Sequence, residues 1–482
     1  MTVDPFASAT DMLDALRART VSARELVDAH IARIERYDGA VNAVVIRDFD
    51  RARRQAAEAD AARARGDQRP LLGLPITIKD CMHVAGLPTT AGVRHRADAV
   101  ATADSPVVAS LRAAGAVVLG KTNTAPYAGD TQSWNDLFGR TNNPWNPERT
   151  PGGSSGGSAA ALAAGLTPLD VGSDLAGSIR QPAAFCGVYG HKPSETAVPR
   201  SGHVPGSDLP NTGTCMDVQG PMARSATDLR RALDLLVGPE IGEETAWRIT
   251  LPPPRHDRLG DFRVAFLPNP PWLTVDDDIR AALERLAARL AGLGAVVAVT
   301  QPAGLDDLRD HHRTFLRLFY AMTAHGSMEE RAATAERLRE RGTDEAATQA
   351  AAILAPTSAY LKWCDRREEY RQSFRDFFRD WDVLITPNHC VNAFPHDPRP
   401  VGERDLVVNG RSVDAAVETV FPALASLGGQ PATAFPVGLD RDGLPIGLQA
   451  IGPYLEDHTP LRFVELLAAE QPGFQPPPGY AD

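Results

Sequence analysis

The run PGGSSGGSAAALAAG at residues 151–165 sets the tightest limit on how this chain can fold. The four glycines and three serines of its GGSSGGS core let backbone approach backbone, permit positive φ, and aim N–H groups at one point. A flexible Gly/Ser linker has a similar composition. A linker does not, however, lead straight into an apolar stretch such as SAAALAAGL. The run therefore reads as a glycine-rich turn that opens a helix. A second segment of the same kind, GSDLAGSIRQPAAFCG at residues 172–187, follows closely.

Around these turns the hydrophobic pattern alternates. GLPITIKD and AVVLGKTN have the short apolar runs of strands, whereas SPVVASLRAAG and SAAALAAGL have those of helices, which predicts α/β layering. Residues 10–37 carry apolar positions at helical spacing, with Ser22 as N-cap of a second segment, and residues 49–66 form an Ala/Arg-rich helix. Residues 1–66 thus read as a peripheral helical segment. The stretch from Glu240 to Gly260 is a linker or surface crossing, FRVAFLP restarts a strand, and VDDDIRAALERLAARLAGLG is an amphipathic helix ending at Gly294. Residues 305–380 are mostly helical, before DVLITP, QPATAFPVG and LPIGLQAIG return to strand patterning. One core over residues 1–482, interrupted by a largely helical insertion at 240–380, fits this order better than two independent domains.

A formal net charge of −11 argues against a general basic field for nucleic acid or an anionic membrane. No stretch approaches the roughly 18 apolar residues of a membrane span, and the N-terminus lacks the pattern of a signal peptide. The expectation is a soluble cytoplasmic protein acting on a small molecule, with no cofactor and no metal; a homodimer is compatible with these features. The five cysteines, Cys81, Cys186, Cys215, Cys364 and Cys390, form no CxxC pair, which fits reduced thiols.

Ser178 follows the turn Asp174-Leu175-Ala176-Gly177 and precedes a short helix containing Pro182. There it would meet free N–H donors able to bind an oxyanion, or it would simply cap the helix. A serine nucleophile needs a base. No histidine has a recognisable spacing, and the adjacent His311 and His312 point to different faces of a helix. Lys79 ends the strand LLGLPITIK, where alternation places Thr77 and Lys79 on one face and Ile76 and Ile78 on the other. Buried, its amine would lose its charge and accept a proton; exposed, it would be an ordinary strand-end lysine. Gly115 to Thr122 formally matches a phosphate-loop pattern, but AVVL is itself a strand rather than the turn that pattern requires. Cys81 and His83 lie two residues apart without activating geometry, and Cys186 reads as helix packing.

Taken together, Lys79 in GLPITIKD, the run NPWNPERTPGGSSGGSAAALAAG, the segment GSDLAGSIRQPAAFCGVYGHKPS and GPMARS at 220–225 resemble the amidase signature family. The likeness is densest from Leu71 to Arg224, returns at 381–387 and 443–453, and is weakest at 240–370. It implies a large mixed β-sheet covered by helices on both faces. It also implies a catalytic set of Lys79, Ser154 and Ser178 with a cis peptide between Gly153 and Ser154. Ser155, Asp174 and Arg180 would support the loop. The backbone N–H groups of Leu175, Ala176, Gly177 and Ser178 would form the oxyanion hole, and Asp130, Thr131, Gln132 and Ser133 would line the substrate site. Where the family usually has two glycines before the nucleophile, this chain has Ala176-Gly177, and the added Cβ narrows the turn.

The resemblance implies hydrolysis of a carboxylic amide through an acyl-enzyme. The alternatives are the glutaminase subunit of a tRNA-dependent amidotransferase, although GHVPGSDLPNTGTCMDVQGPMARS and the ending QPPPGYAD look more like stand-alone bacterial amidases, and an acyltransferase in which an amine replaces water. A non-catalytic scaffold on the same fold is a further alternative, which retention of all three catalytic residue types opposes. Phe315, Phe319 and Tyr320, in the weakly diagnostic region, form an aromatic stripe that suits a core as well as a pocket wall.

Overall fold

A computed structural model describes residues 3–204, 214–324 and 326–481. Its strands in chain order are β1 (Val44–Arg47), β2 (Pro75–Lys79), β3 (Val117–Thr122), β4 (Trp134–Asn135), β5 (Gly139–Arg140), β6 (Leu169–Asp174), β7 (Tyr189–Lys192) and β8 (Val218–Ala223). They continue with β9 (Arg263–Phe266), β10 (Val296–Val299), β11 (Val383–Pro387), β12 (Asp405–Val408), β13 (Arg411–Asp414), β14 (Ala432–Leu439) and β15 (Pro445–Ile451). Eleven of them form one sheet in the order β1-β3-β2-β6-β8-β7-β14-β15-β11-β9-β10, while β4-β5 and β12-β13 are separate two-stranded pairs. The sheet is mixed: β3-β2-β6 and β11-β9-β10 run parallel, and the pairings from β6 through β8, β7, β14 and β15 to β11 are antiparallel.

Every residue of β2, β3, β6, β7, β8, β11 and β15 is buried. Because successive side chains of a strand point to opposite faces, such complete burial requires cover on both faces of the sheet. The edges differ. In β10, Val296 and Val299 are exposed, as suits a strand with one neighbour.

The predicted helices appear close to their expected limits. Ser22 caps Ala23–Val41 in a capping box with Glu25, and Asp277–Gly292 is followed by Gly294 at φ 94°. The 305–380 region contains helices Leu308–Thr323, Met328–Glu340, Asp344–Ile353 and Thr357–Phe377 between β10 and β11. The N-terminal reading needs one correction. Besides its helices, the 1–66 segment supplies β1, the antiparallel edge partner of β3, a four-residue strand too short for its period to stand out between two helices. No described helix is long and apolar enough to cross a membrane.

The Gly/Ser turn packs as tightly as its composition predicts. A Cβ on Gly157 would lie 2.4 Å from the backbone N of Asn123 and 2.5 Å from its O; one on Gly153 would lie 2.5 Å from Asp130 O. The helix that follows, Gly156–Ala163, is buried at every position. Gly157→Ala is expected to destabilise the protein by about 1–3 kcal/mol through overpacking against backbone that cannot swing aside. A urea midpoint lowered at unchanged slope would verify this, and an unchanged midpoint would contradict it.

Candidate active site

Two buried strands and two turns converge beside one cavity. Lys79 closes β2 with no solvent exposure, and its Nζ donates to Ser154 Oγ at 2.7 Å and to Ser173 Oγ at 2.9 Å. Alternation along β2 holds as expected: Thr77, on the Lys79 face, donates to Asp170 Oδ2 at 2.6 Å, while Ile76 and Ile78 enter the apolar core. Burial is the largest influence on the amine and pushes it below the ordinary lysine value, against the raising effect of nearby negative charge, Cys81 first.

Ser154 sits in the Gly/Ser turn, and the Gly153–Ser154 peptide is cis. Four hydrogen bonds fix this turn. Ser133 Oγ donates to Ser154 O at 3.0 Å and accepts from Gly156 N at 2.8 Å. Ser155 Oγ donates to Ser173 O at 3.3 Å, and Ser155 N donates to Ser178 O at 3.2 Å. The last bond ties the Ser154 turn directly to the Ser178 turn.

Ser178 lies half-buried just before the helix Arg180–Cys186. The turn carrying it is organised by the carboxylate of Asp174, which accepts from Gly177 N at 2.9 Å and Ile179 N at 3.1 Å and pairs with Arg180 Nη2 at 2.9 Å. Burial opposes that charge, but the Arg180 guanidinium, the charge of Lys192 and the Gly177 N–H together hold the carboxyl at about 2. Arg180 in turn reaches Pro422 O at 3.0 Å, Gln449 Oε1 at 2.8 Å and Ser426 Oγ at 3.0 Å. The turn is thus anchored to the far half of the chain.

This geometry refines the expected oxyanion donors. The N–H of Gly177 is turned toward Asp174, so it serves the turn rather than the cavity. Gly177 has φ 105°, and a Cβ there would meet Pro422 at 2.8 Å, so glycine is required at that position. Ala176 has no left-handed φ and is half-buried on the cavity wall beside Leu175, so its Cβ is accommodated without backbone strain.

A cavity of about 320 Å³ opens over these groups. Ser154, Ser173, Ser178, Leu175 and Ala176 line one side, and Phe315, Leu316, Phe319, Tyr320 and Met322 line another. The aromatic stripe of helix Leu308–Thr323 is therefore both core and wall. Of the four residues expected to face a substrate, Asp130 and Thr131 line the cavity. Asp130 is engaged by Arg404 at 2.6 and 2.8 Å. Gln132 instead bonds the backbone of Asp397 at 2.8 and 3.0 Å, and Ser133 braces the Ser154 turn.

Other candidates resolve into structural roles. Lys121 pairs with Asp80 at 2.7 Å and donates to Pro88 O at 2.7 Å, which leaves no role for a phosphate loop. His311 packs edge-on against Tyr370 while His312 bonds Thr419 Oγ1 at 2.9 Å, in agreement with the different faces predicted. Cys186 is buried in its helix. Cys81 does have an imidazole partner, at 3.2 Å, but it is His203 and not His83. Sequence reasoning missed this pair and Ser173: His203 lies 122 positions beyond Cys81, and one serine in a buried strand carries no distinguishing signal.

The profile of the Amidase family matches residues 25–461. The chain is 34% identical to a glutamyl-tRNA(Gln) amidotransferase subunit of Synechococcus sp. (strain WH7803), over 91% of each chain. Among solved structures it is similar to a 6-aminohexanoate cyclic dimer hydrolase, with TM-score 0.80, 27% identity and full coverage of both chains. A bacterial aryl acylamidase matches with TM-score 0.78 and 25% identity, over 99% of this chain and 98% of that one.

Asp174→Asn should cost about 3–5 kcal/mol of stability, because it leaves the Arg180 charge buried and unpaired. Since folding depresses the Asp174 pKa to about 2, the pair's contribution is present above the ordinary carboxylate value and lost as pH falls through about 2. Urea unfolding of the two proteins at neutral pH and at about pH 4.5, above the ordinary carboxylate range, should give the same difference. A difference that vanishes between these two pH values would contradict the assignment.

Proposed function

The chain belongs to the Amidase family, and from that premise we propose that it hydrolyses a carboxylic amide, with Ser178 as nucleophile and Ser154 and Lys79 as its proton relay. The observation that carries the reading is the 2.7 Å bond between a fully buried lysine amine and Ser154 Oγ, beside a cavity that Ser178 shares. Burial favours the neutral amine, whose lone pair can take a proton along the same line of contact. As Ser178 Oγ attacks the carbonyl, its proton passes to Ser154 and the Ser154 proton passes to Lys79. Backbone N–H groups of Leu175, Ala176 and Ser178 then face the oxyanion, each worth roughly 3–4 kcal/mol by comparison with other such donors. Return of the proton through Ser154 expels the amine or ammonia. Water cleaves the acyl-enzyme by the reverse relay.

The similarity to the Synechococcus amidotransferase protein keeps a second reading in view, a glutaminase that works within a complex. The cavity favours the stand-alone amidase. Leu175, Ala176, Phe315, Leu316, Phe319 and Met322 give it an apolar side, and of the charged residues that also line it, Asp130 is engaged by Arg404 and Arg341 by Asp414. Such a wall suits an apolar substituent better than the charged backbone groups of glutamine. The purified chain alone should therefore release amine or ammonia from apolar or aryl amides faster than ammonia from glutamine. Preference for glutamine, with activity only in a complex, would favour the second reading.

Ser178→Ala and Lys79→Ala should each lower the rate by at least about 10³-fold, as for other residues acting as one unit, while the unfolding midpoint shows that each variant is folded. Near-normal turnover in either would overturn the assignment. With wild type, kcat/KM should fall as pH drops through the lowered pKa of Lys79, because protonation removes the base. A flat profile from about pH 5 to 9, which brackets depressed lysine values, would exclude it.

A further inference from the structure

Ser173 Oγ, the second partner of Lys79, also touches Cys81 Sγ at 3.7 Å, and Cys81 Sγ lies 3.2 Å from His203 Nε2. Cys81 is fully buried, whereas His203 and Asp217 stand on the cavity wall with Ser173 and Ser154. The juxtaposition is held by backbone: Val204 N donates to Cys81 O at 2.7 Å and His83 N to Gly202 O at 2.9 Å. These bonds clip the segment carrying His203 onto the residues just past β2. We propose that Cys81 and His203 form a thiolate–imidazolium pair whose negative end is the counter-charge for Lys79 when its amine takes the serine proton. The proposal rests on the relay described above and makes both positioning residues of that reaction.

The charges around the amine favour this role for the thiol. Asp174 is matched by Arg180, and Asp80 by Lys121. Asp170 is pushed up to about 6 by burial and accepts from Thr77 and Thr122, and burial also pushes Asp217 up. Burial alone would raise the Cys81 thiol, but the charge of His203, that of Lys79 once protonated, and hydrogen bonds from His203 and Ser173 act together to hold the thiol below its ordinary value. His203 is raised against its own burial by Cys81 and Asp217. In the resting pair the Cys81 proton resides on His203, so the pair is neutral overall. When Ser178 attacks, one proton moves through Ser154 to Lys79. Positive charge arises on the amine and negative charge on the substrate oxygen, and the Cys81–His203 pair neither gains nor loses a proton. The thiolate thus makes Lys79 a stronger base than burial alone would leave it.

A fluorophosphonate that labels the reactive serine reads this relay in the full-length chain without knowledge of the natural amide. In Cys81→Ser the loss of an opposite charge should move the acid limb of the Ser178 labelling rate about one to three pH units lower, the range for a close charge partner. The plateau should also fall, since a weaker base takes the proton less readily. The ultraviolet difference spectrum of wild type minus Cys81→Ser at neutral pH should show one thiolate, and His203→Gln should abolish that signal. Should Cys81→Ser fail to fold, Cys81→Ala takes its place in the labelling series, and wild type against His203→Gln reads the thiolate. A profile for the folded cysteine variant that superimposes on wild type, or a wild-type chain without the thiolate band, overturns the proposal and leaves the relay standing. Absence of labelling at Ser178 in wild type overturns the relay itself.

Discussion

An amine sealed from solvent against two hydroxyl groups is the constraint around which this structure is arranged. Removing an ammonium ion from water costs several kcal/mol unless it is paired. The chain resolves that cost differently at each buried lysine. Lys121 faces the carboxylate of Asp80, and Lys192 donates to the carbonyls of Pro193 and Gln430. Carboxylates and carbonyls only accept, so toward them the amine can only donate. Lys79 bonds the hydroxyls of Ser154 and Ser173, which can accept or donate. Its surroundings are thus compatible with both protonation states, and the fully buried ends of β2 and β6 hold those surroundings in place.

The same economy of charge organises the Ser178 turn. Asp174 could have been a liability at the end of a buried strand. Instead its two oxygens gather Gly177 N, Ile179 N and the Arg180 guanidinium. Arg180 carries the constraint across the molecule to Pro422, Ser426 and Gln449. One ion pair therefore links the position of Ser178 to β15 and to the helix Val420–Gly428. It also consumes the Gly177 N–H, which is held by the turn rather than left to the cavity.

Much of this was legible in the primary structure, for identifiable reasons. Period-2 alternation in GLPITIK placed Lys79 and Thr77 on one face, and the glycine run announced a close backbone approach that Gly153 and Gly157 then make. Strong amphipathic helices and their caps, such as Ser22 with Glu25, were local signals and were read locally. What escaped were features fixed by distant partners. Strand β1 is four residues long and owes its existence to pairing with β3. Ser133 and Gln132 could not be told from cavity-facing residues, because only the fold brings them to Ser154 and Asp397. The partner of Cys81 could not be found by spacing, since adjacency in sequence favoured His83 and the chain crossing delivered His203.

The unequal legibility of the two halves of the site follows from what each must do. Around Lys79, Ser154 and Ser178 the requirement is atomic: hydroxyls within hydrogen-bond reach of an amine, a glycine with positive φ against Pro422, and a carboxylate at the right end of a strand. Few residue choices satisfy such demands, so the segments that meet them keep a recognisable pattern. Opposite them, Phe315, Leu316, Phe319 and Met322 need only fill space with apolar surface of suitable shape. Many combinations of side chains do that at similar cost. The helical region between β10 and β11 is consequently where sequence says least and where the cavity acquires much of its apolar wall. The two demands are carried by separate stretches of the chain, so the apolar wall can vary while the hydrogen-bonded geometry around Lys79 is kept.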